Sequence, residues 1–130
     1  MRTEILDYLQ SQNLGTITVS RELPWSENGV PMYLKNLKKV YAEVEQVENT
    51  PLVTALDGFF IPSEVTTVTV FIACDAKQTP PNLDQIIASI KTAKDITTIE
   101  GVNRRECSVS TNYENDVLVT QLDFRFTKLT

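Results

Sequence analysis

The chain centres on the stretch EVTTVTVFIAC, from Glu64 to Cys74, which has the composition of a β-strand. β-Branched and aromatic residues fill it, and apolar side chains fall on both of its alternating faces. Val68, Val70 and Ile72 share one face, whereas Phe71 lies on the other. Because strands that are apolar on both sides are buried on both sides, we expect this to be a central strand.

Downstream of this strand the sequence predicts a capped helix. Asn82 is predicted to cap it, with Gln85 at the capping-box position three residues later. An apolar stripe runs through Ile86 and Ile90, and the helix is expected to end near Asp95.

The C-terminal part predicts a β-hairpin. Residues 104–109 alternate as a strand, and Glu114-Asn115-Asp116 is expected to turn the chain. The return strand should direct apolar residues inward, namely Leu118, Leu122, Phe124 and Phe126. Its polar residues should face water or a neighbour, namely Gln121, Asp123 and Arg125.

Upstream of the central strand we expect one helix and three short strands. Thr3 is predicted to cap the helix. The strands are predicted at 16–20, 32–37 and 40–45, and Pro51 is expected to break or end the last one.

These elements predict one α+β domain over residues 1–130, with a mostly antiparallel sheet and two helices packed on one face. A hydrophobic content of 42% and a charged content of 22% are ordinary for a globular domain of this size. One layer of helices cannot cover a central strand that is apolar on both sides. We therefore expect a second subunit to pack against the sheet, as in head-to-tail rings of identical subunits.

The segment TPLVTALDGFFIP, residues 50–62, carries a strong Asp57-Gly58 turn signal between apolar runs. It predicts either a well-packed hairpin or a protruding arm whose apolar tip meets a partner. Its candidate contact residues are Leu56, Phe59, Phe60 and Ile61. We expect Phe59 and Phe60 to be more exposed in the isolated subunit than a core residue such as Phe124.

Trp25, the only tryptophan, lies in a loop predicted over residues 23–31. It either anchors a contact with a partner or folds back onto the core.

The chain contains no histidine, which excludes Ser-His-Asp and Cys-His catalytic arrangements and histidine-ligated metals within it. The four glycines are all separated, so no phosphate-binding loop can be written. We expect no catalytic residues, no cofactor and no metal. An alternative is a small enzyme or ligand-binding domain that uses carboxylates alone, drawn from Asp57, Glu64, Asp75 and Glu106.

The two cysteines, Cys74 and Cys107, are expected to be free and to behave as small apolar core residues. No apolar run reaches the roughly 20 residues of a membrane helix, and no signal peptide precedes the first helix. Both observations favour a cytoplasmic protein. A net charge of −5 argues against binding of nucleic acid by the whole surface.

The layout of the chain resembles the tail terminator family of long-tailed phages, to which the lambda-type minor tail protein U belongs. The likeness spans nearly the whole chain and rests on the order of its parts. These are the short N-terminal helix before a Gly-containing turn, Val30-Pro31, the connection from Asp75 to Asn82, Asn103-Arg104-Arg105, and the ending Leu118–Phe126.

The resemblance implies a homo-oligomer, most often a hexameric ring, that caps the finished tail tube, stops its growth and joins the tail to the head. Its partners would be copies of itself, the tail tube protein and the head–tail connector protein, with DNA only passing through the lumen and no membrane involved. It would be a virion structural protein at the head-proximal end of the tail, assembled in the host cytoplasm. A different connector or a tube-like subunit is the alternative within this class.

An acidic lumen would let DNA pass without binding its phosphates. The candidates for it are Glu43, Glu45 and Glu48, which a merely solvated strand edge would explain equally well.

Overall fold

The computed structural model describes residues 1–54 and 59–129 and, outside residues 50–62, their side chains. The elements follow in this order along the chain: α1 (Arg2–Ser11), β1 (Thr18–Val19), α2 (Met32–Lys35), β2 (Lys39–Ala42), β3 (Gln46–Thr54), β4 (Phe59–Asp75), α3 (Leu83–Lys91), a 3₁₀ helix (Thr92–Asp95), β5 (Arg104–Glu114) and β6 (Val117–Leu129).

In the described part of the chain six strands form one sheet, with β4 at its centre. The main order is β1-β2-β4-β6-β5, and β3 pairs with the same edge of β4 as β2 does. Every pairing is antiparallel except that between β1 and β2. The predicted α+β class with a mostly antiparallel sheet is therefore confirmed.

Helices α1 and α3 cover one face of this sheet, as the sequence predicts. Ile5 and Leu9 of α1 and Ile86 and Ile90 of α3 are buried in one apolar cluster. The sheet contributes alternate residues to the same cluster: Val40, Ala42, Val68, Val70, Ile72, Cys74, Leu122, Phe124 and Phe126. We call this side the helix face, and the opposite side the outer face.

Arg105 of β5 ties the end of the α3 region to the sheet. Its guanidinium donates hydrogen bonds to the carbonyls of Lys94 (3.0 Å), Ile96 (2.9 Å) and Ile99. These carbonyls lie in and just after the 3₁₀ helix, and that of Ile96 also accepts from the backbone N–H of Ile99 (3.3 Å), so one side chain binds three acceptors of this segment.

The outer face has a second, smaller core, formed by Tyr41, Phe71, Ala73 and Val119 under Tyr33 of α2. The strand predicted over residues 32–37 is therefore wrong. The four residues of α2 are too few to show a helical period, and their packing onto the sheet decides their conformation.

Helix α2 also changes the argument for a second subunit. The sequence predicts that the outer face needs an external partner because β4 is apolar on both sides. The chain itself covers the half of that face around Phe71, so the apolar side chains there require no neighbour.

Two predicted boundaries in the N-terminal half are also wrong. The strand predicted over residues 40–45 ends at Ala42, and Val44 is exposed in the bend that follows. Pro51 lies inside β3 instead of ending it. In the described residues β3 pairs only with β4, and an edge strand tolerates the missing N–H of proline.

The predicted helix boundaries agree with the structure better than the predicted capping interactions do. Helix α1 starts at Arg2 with Met1 at the N-cap, so Thr3 lies inside it and is not its cap. Asn82 is the N-cap of α3, as predicted, but its side chain makes no capping hydrogen bond. The helical segment ends at Asp95, as expected.

The C-terminal hairpin agrees with the sequence in turn and register. Asn115 and Asp116 have φ values of 49° and 63°, the left-handed pair that a two-residue type I′ turn requires. Leu122 and Phe124 are fully buried on the helix face. Arg125 therefore lies on the outer face and is exposed.

Candidate assembly surfaces

In the segment predicted to be either a hairpin or an arm, residues 50–54 and 59–62 are paired as two strands. Strand β6 reaches β4 at Ser63, which pairs with Leu129. Beyond that point, within the described residues, β4 pairs only with β3, through register pairs that run to Thr54 and Phe59. We call residues 50–62 the arm.

The contact residues predicted in the arm cannot be examined individually. Phe59, Phe60 and Ile61 belong to β4 and pair with residues 54, 53 and 52 of β3, but their side chains are not described. Leu56 and the Asp57-Gly58 turn lie outside the described residues. Their exposure, and a role in contacts, stay predictions.

Two prolines lie opposite each other where the arm leaves the sheet. Pro51 pairs with Pro62, one residue beyond the last pairing of β4 with β6. Because neither residue has an N–H, this pair cannot form ladder hydrogen bonds with itself. The arm thus joins the rest of the sheet at a residue pair in which neither residue has a backbone N–H to donate.

Trp25 folds back onto the core, which is one of the two predicted interpretations, and its role as a contact anchor stays a prediction. Its ring lies edge-on to Tyr33 and to Phe71, with centroids 5.7 Å apart in each case, and these two rings stack at 4.7 Å. Its Nε1 donates to Glu43 Oε1 at 3.1 Å. Yet 38% of the residue is exposed, so Trp25 folds onto the outer-face core and still presents a surface.

Two further apolar residues of the same loop are exposed, Leu23 and Val30, and so is Val44, which follows Glu43 in the β2–β3 connection. With Trp25 they form what we call the Trp25 patch. Arg2 holds the two segments together, since its guanidinium donates to the carbonyls of Ala42 (2.8 Å), Arg21 (2.8 Å) and Glu22 (3.2 Å). Burial chiefly, and then the charge of Arg21, lower the pKa of Arg2.

The burial that packs Tyr33 under Trp25 also affects its hydroxyl. Burial first, and then the negative charges of Glu114 and Glu43, raise the pKa of Tyr33 above its ordinary value. Tyr33 is therefore neutral at physiological pH and serves as an aromatic packing residue.

The three glutamates predicted to line a lumen do not form one row. Glu43 accepts the hydrogen bond from Trp25, and Glu45 lies 2.6 Å from the amino group of Met1. Burial would lower the pKa of the Met1 amino group, but hydrogen bonds to Glu45 and Glu4 outweigh it and raise that pKa. Only Glu48 lies in a strand, opposite Val65 and exposed on the outer face.

The uncovered half of the outer face contains a shallow groove of about 580 Å³. Val65 of β4 and Leu129 of β6 give it apolar surface, and Arg104 and Arg125 flank it. Arg104 pairs with Glu106 at 2.5 Å, whereas Arg125 forms no ion pair with any described residue. We call this the outer groove. Sequence reasoning missed it, although the outward direction of Arg125 was predicted from the alternation of β6.

The carboxylates considered for catalysis are far apart. Glu64 and Asp75 lie eleven residues apart on β4, which is about 36 Å in a strand. Glu106 is on β5, and paired with Arg104. Asp57 lies outside the described residues. The structure brings none of the three described acids together.

Both cysteines are free. Burial is the main cause that raises the pKa of the Cys74 thiol and of the Cys107 thiol, so both are protonated near neutral pH. In residues 1–54 and 59–129, no cluster of three or more potential ligands could hold a metal ion.

Comparison with models of known protein families and with curated protein sequences finds no match to this chain. Among the helices of the described residues, none has both the length and the apolar character that crossing a membrane requires.

Proposed function

We propose that this chain is a non-catalytic structural subunit that assembles with copies of itself into a ring at the head-proximal end of a phage tail. In this role the ring, hexameric as in the tail terminators that the chain resembles, caps the tail tube, ends its growth and contacts the head connector. The observation that carries the proposal is the arm, whose strands continue past the last pairing with β6.

A two-stranded ribbon is only marginally stable by itself in water. The arm extends as such a ribbon, and its sequence is rich in Leu, Val, Phe and Ile. Contact with another chain would bury these residues and stabilise the ribbon, which is the usual use of a protruding apolar segment. An enzyme's substrate pocket would instead require convergent polar groups.

The charge of the chain is compatible with a ring through which DNA passes. The net charge is −5, and Glu48 is an exposed acid of a strand on the outer face. Because Glu43 and Glu45 are engaged within the chain, Glu48 is the best remaining candidate for an acidic lumen. Acidic walls would repel phosphates and leave DNA mobile.

A second candidate is a tube-like subunit that stacks openly. Strand β5 favours it, since its eleven residues pair only with β6 among the described strands. An edge of this length is a template for pairing with another chain. Tube subunits stack without limit, whereas a terminator closes into a ring of fixed size.

Light scattering coupled to size-exclusion chromatography, over a range of concentrations, tests the proposal. We expect a discrete ring, visible also by electron microscopy. Open stacks of unlimited length would favour the tube-like alternative, and a monomer at every concentration would contradict self-assembly.

The arm is tested by Phe60→Ser, with Tyr113→Ser as the matched control. Tyr113 is 76% exposed near the β5–β6 turn, far along the sheet from the arm. We expect Phe60→Ser to abolish the ring while circular dichroism shows an unchanged fold, and Tyr113→Ser to leave the ring intact. Equal assembly by both variants would show that Phe60 of the arm is not needed for ring formation.

A further inference from the structure

The Trp25 patch has exposed acids beside it, and the outer groove contains Arg125, which forms no ion pair with any described residue. We propose that the Trp25 patch of one subunit docks into the outer groove of the next copy of this chain. The inference rests on the proposed function, because it supplies a contact from which a ring of subunits is built.

The patch has the form of an interface anchor. Trp25 is held from below by Tyr33 and Phe71, so its exposed surface is presented by a rigid support. Val44, next in sequence to the Glu43 that accepts from the indole, is 54% exposed. Rigid aromatic residues that are half-buried in one subunit are the usual centres of protein–protein binding energy, because little conformational entropy is lost when they bind.

The border of the patch is acidic. Glu22 and Glu27 are exposed within the same loop, and Glu43 lies against the indole nitrogen. The nearest arginines are occupied within the chain: Arg2 by backbone carbonyls and Arg21 by Asp7.

The outer groove complements this surface in size and charge. Its volume of about 580 Å³ lies within the range of roughly 300–1,000 Å³ found for binding pockets, so it has room for an indole ring. Val65 and Leu129 provide apolar contact. Glu106 neutralises Arg104, which leaves the exposed Arg125 as the cation available to an incoming carboxylate.

Both surfaces lie on the outer face of the sheet, at different places. The Trp25 patch follows β1 and the end of β2, at one edge of the sheet, whereas the groove lies over β4, β6 and β5, toward the other edge. If one subunit offers its patch to one neighbour and its groove to another, the contact is head-to-tail, whereas a two-fold contact that uses both pairs at once gives a dimer, which light scattering distinguishes from a ring. Such a head-to-tail contact closes into a ring when the rotation between subunits permits.

A second copy of this chain is the occupant that these observations favour, since both complementary surfaces occur on one molecule. The single tryptophan makes the contact directly measurable, because all indole fluorescence comes from Trp25. We expect assembly of the purified chain to shift its emission to shorter wavelength and to protect it from quenching by acrylamide.

Charge reversal tests the pairing. Arg125→Glu should weaken assembly about tenfold or more, since it places like charges at the contact. Adding Glu22→Arg and Glu27→Arg in the same chain should restore most of the loss. Lys77→Glu, which alters the net charge equally at an exposed turn outside both surfaces, should leave assembly unchanged.

The outcomes separate this inference from the proposed function. Assembly with Trp25 still open to acrylamide, or with Arg125→Glu and Lys77→Glu behaving alike, would overturn the patch-to-groove contact and leave self-assembly standing. A chain that remains monomeric at every concentration would overturn both. Protection of Trp25 together with rescue of Arg125→Glu by the two glutamate reversals would establish the contact.

Discussion

Strands β2, β4 and β6 contribute to both faces of the sheet, and yet the two faces are covered in different ways. Helices α1 and α3, distant in sequence, cover the helix face with one continuous apolar core. The outer face has a local cover, α2 with Trp25, over one half only. The difference teaches that strong alternation in a strand does not reveal how far its second face is buried.

The uncovered half of the outer face is polar but internally bonded. Thr69 donates to Asp123 at 2.9 Å, and Gln121 donates to the same carboxylate at 3.3 Å. Polar side chains that bond to one another make this half compatible with either water or another chain. Stability should therefore depend mostly on the helix face, and assembly on the outer face.

The largest expected loss of stability comes from a substitution on the helix face. Phe124 is fully buried in the main cluster. Phe124→Ala should lower the free energy of unfolding by about 3–5 kcal/mol, because it opens a cavity that the surrounding helices cannot fill. Urea unfolding followed by circular dichroism measures it, and a loss below 1 kcal/mol would mean that this core is not tightly packed.

A smaller loss is expected for the covered half of the outer face. Phe71→Ala should cost about 2–3 kcal/mol, at or below the lower end for phenylalanine, because the partly exposed Trp25 can settle into the space. The emission of Trp25 should change at the same time, since its ring loses a neighbour. A cost as large as that of Phe124→Ala would erase the distinction between the two cores.

The connection between α3 and the sheet should contribute less again. Arg105→Met keeps much of the side-chain length and removes the donors to three carbonyls. We expect a loss of about 1–3 kcal/mol, since three part-buried acceptors each lose a hydrogen bond from a charged group. Amide hydrogen exchange should increase over residues 92–99, and uniform exchange across the domain would contradict a local role.

The smallest effect is expected on the uncovered half. Thr67 faces outward from β4, partly exposed and beside no described apolar cover. Thr67→Val should change the free energy of unfolding by no more than about 0.5 kcal/mol in either direction. A clear gain in stability measured on the monomer would show that this half is buried in the isolated subunit, contrary to the comparison.

Much of the architecture could be predicted from the sequence because its signals are local and long. The central strand, the helix after Asn82 and the hairpin with its Asn115-Asp116 turn each extend over many residues with a consistent period. For the candidate surfaces, alternation along β6 predicted the outward direction of Arg125, and the sequence left two interpretations for Trp25. The outer groove was not, because its lining residues come from three different strands.

Sequence alone thus determined the α+β class and the inward and outward residues of β6, since these depend on alternation and composition. Tertiary structure alone decided that residues 32–35 form a helix, that Pro51 stays within a strand and that Glu43 binds Trp25. The physical reason is the same in each case. A short segment has little conformational preference of its own, so the contacts it makes with residues far along the chain select its structure.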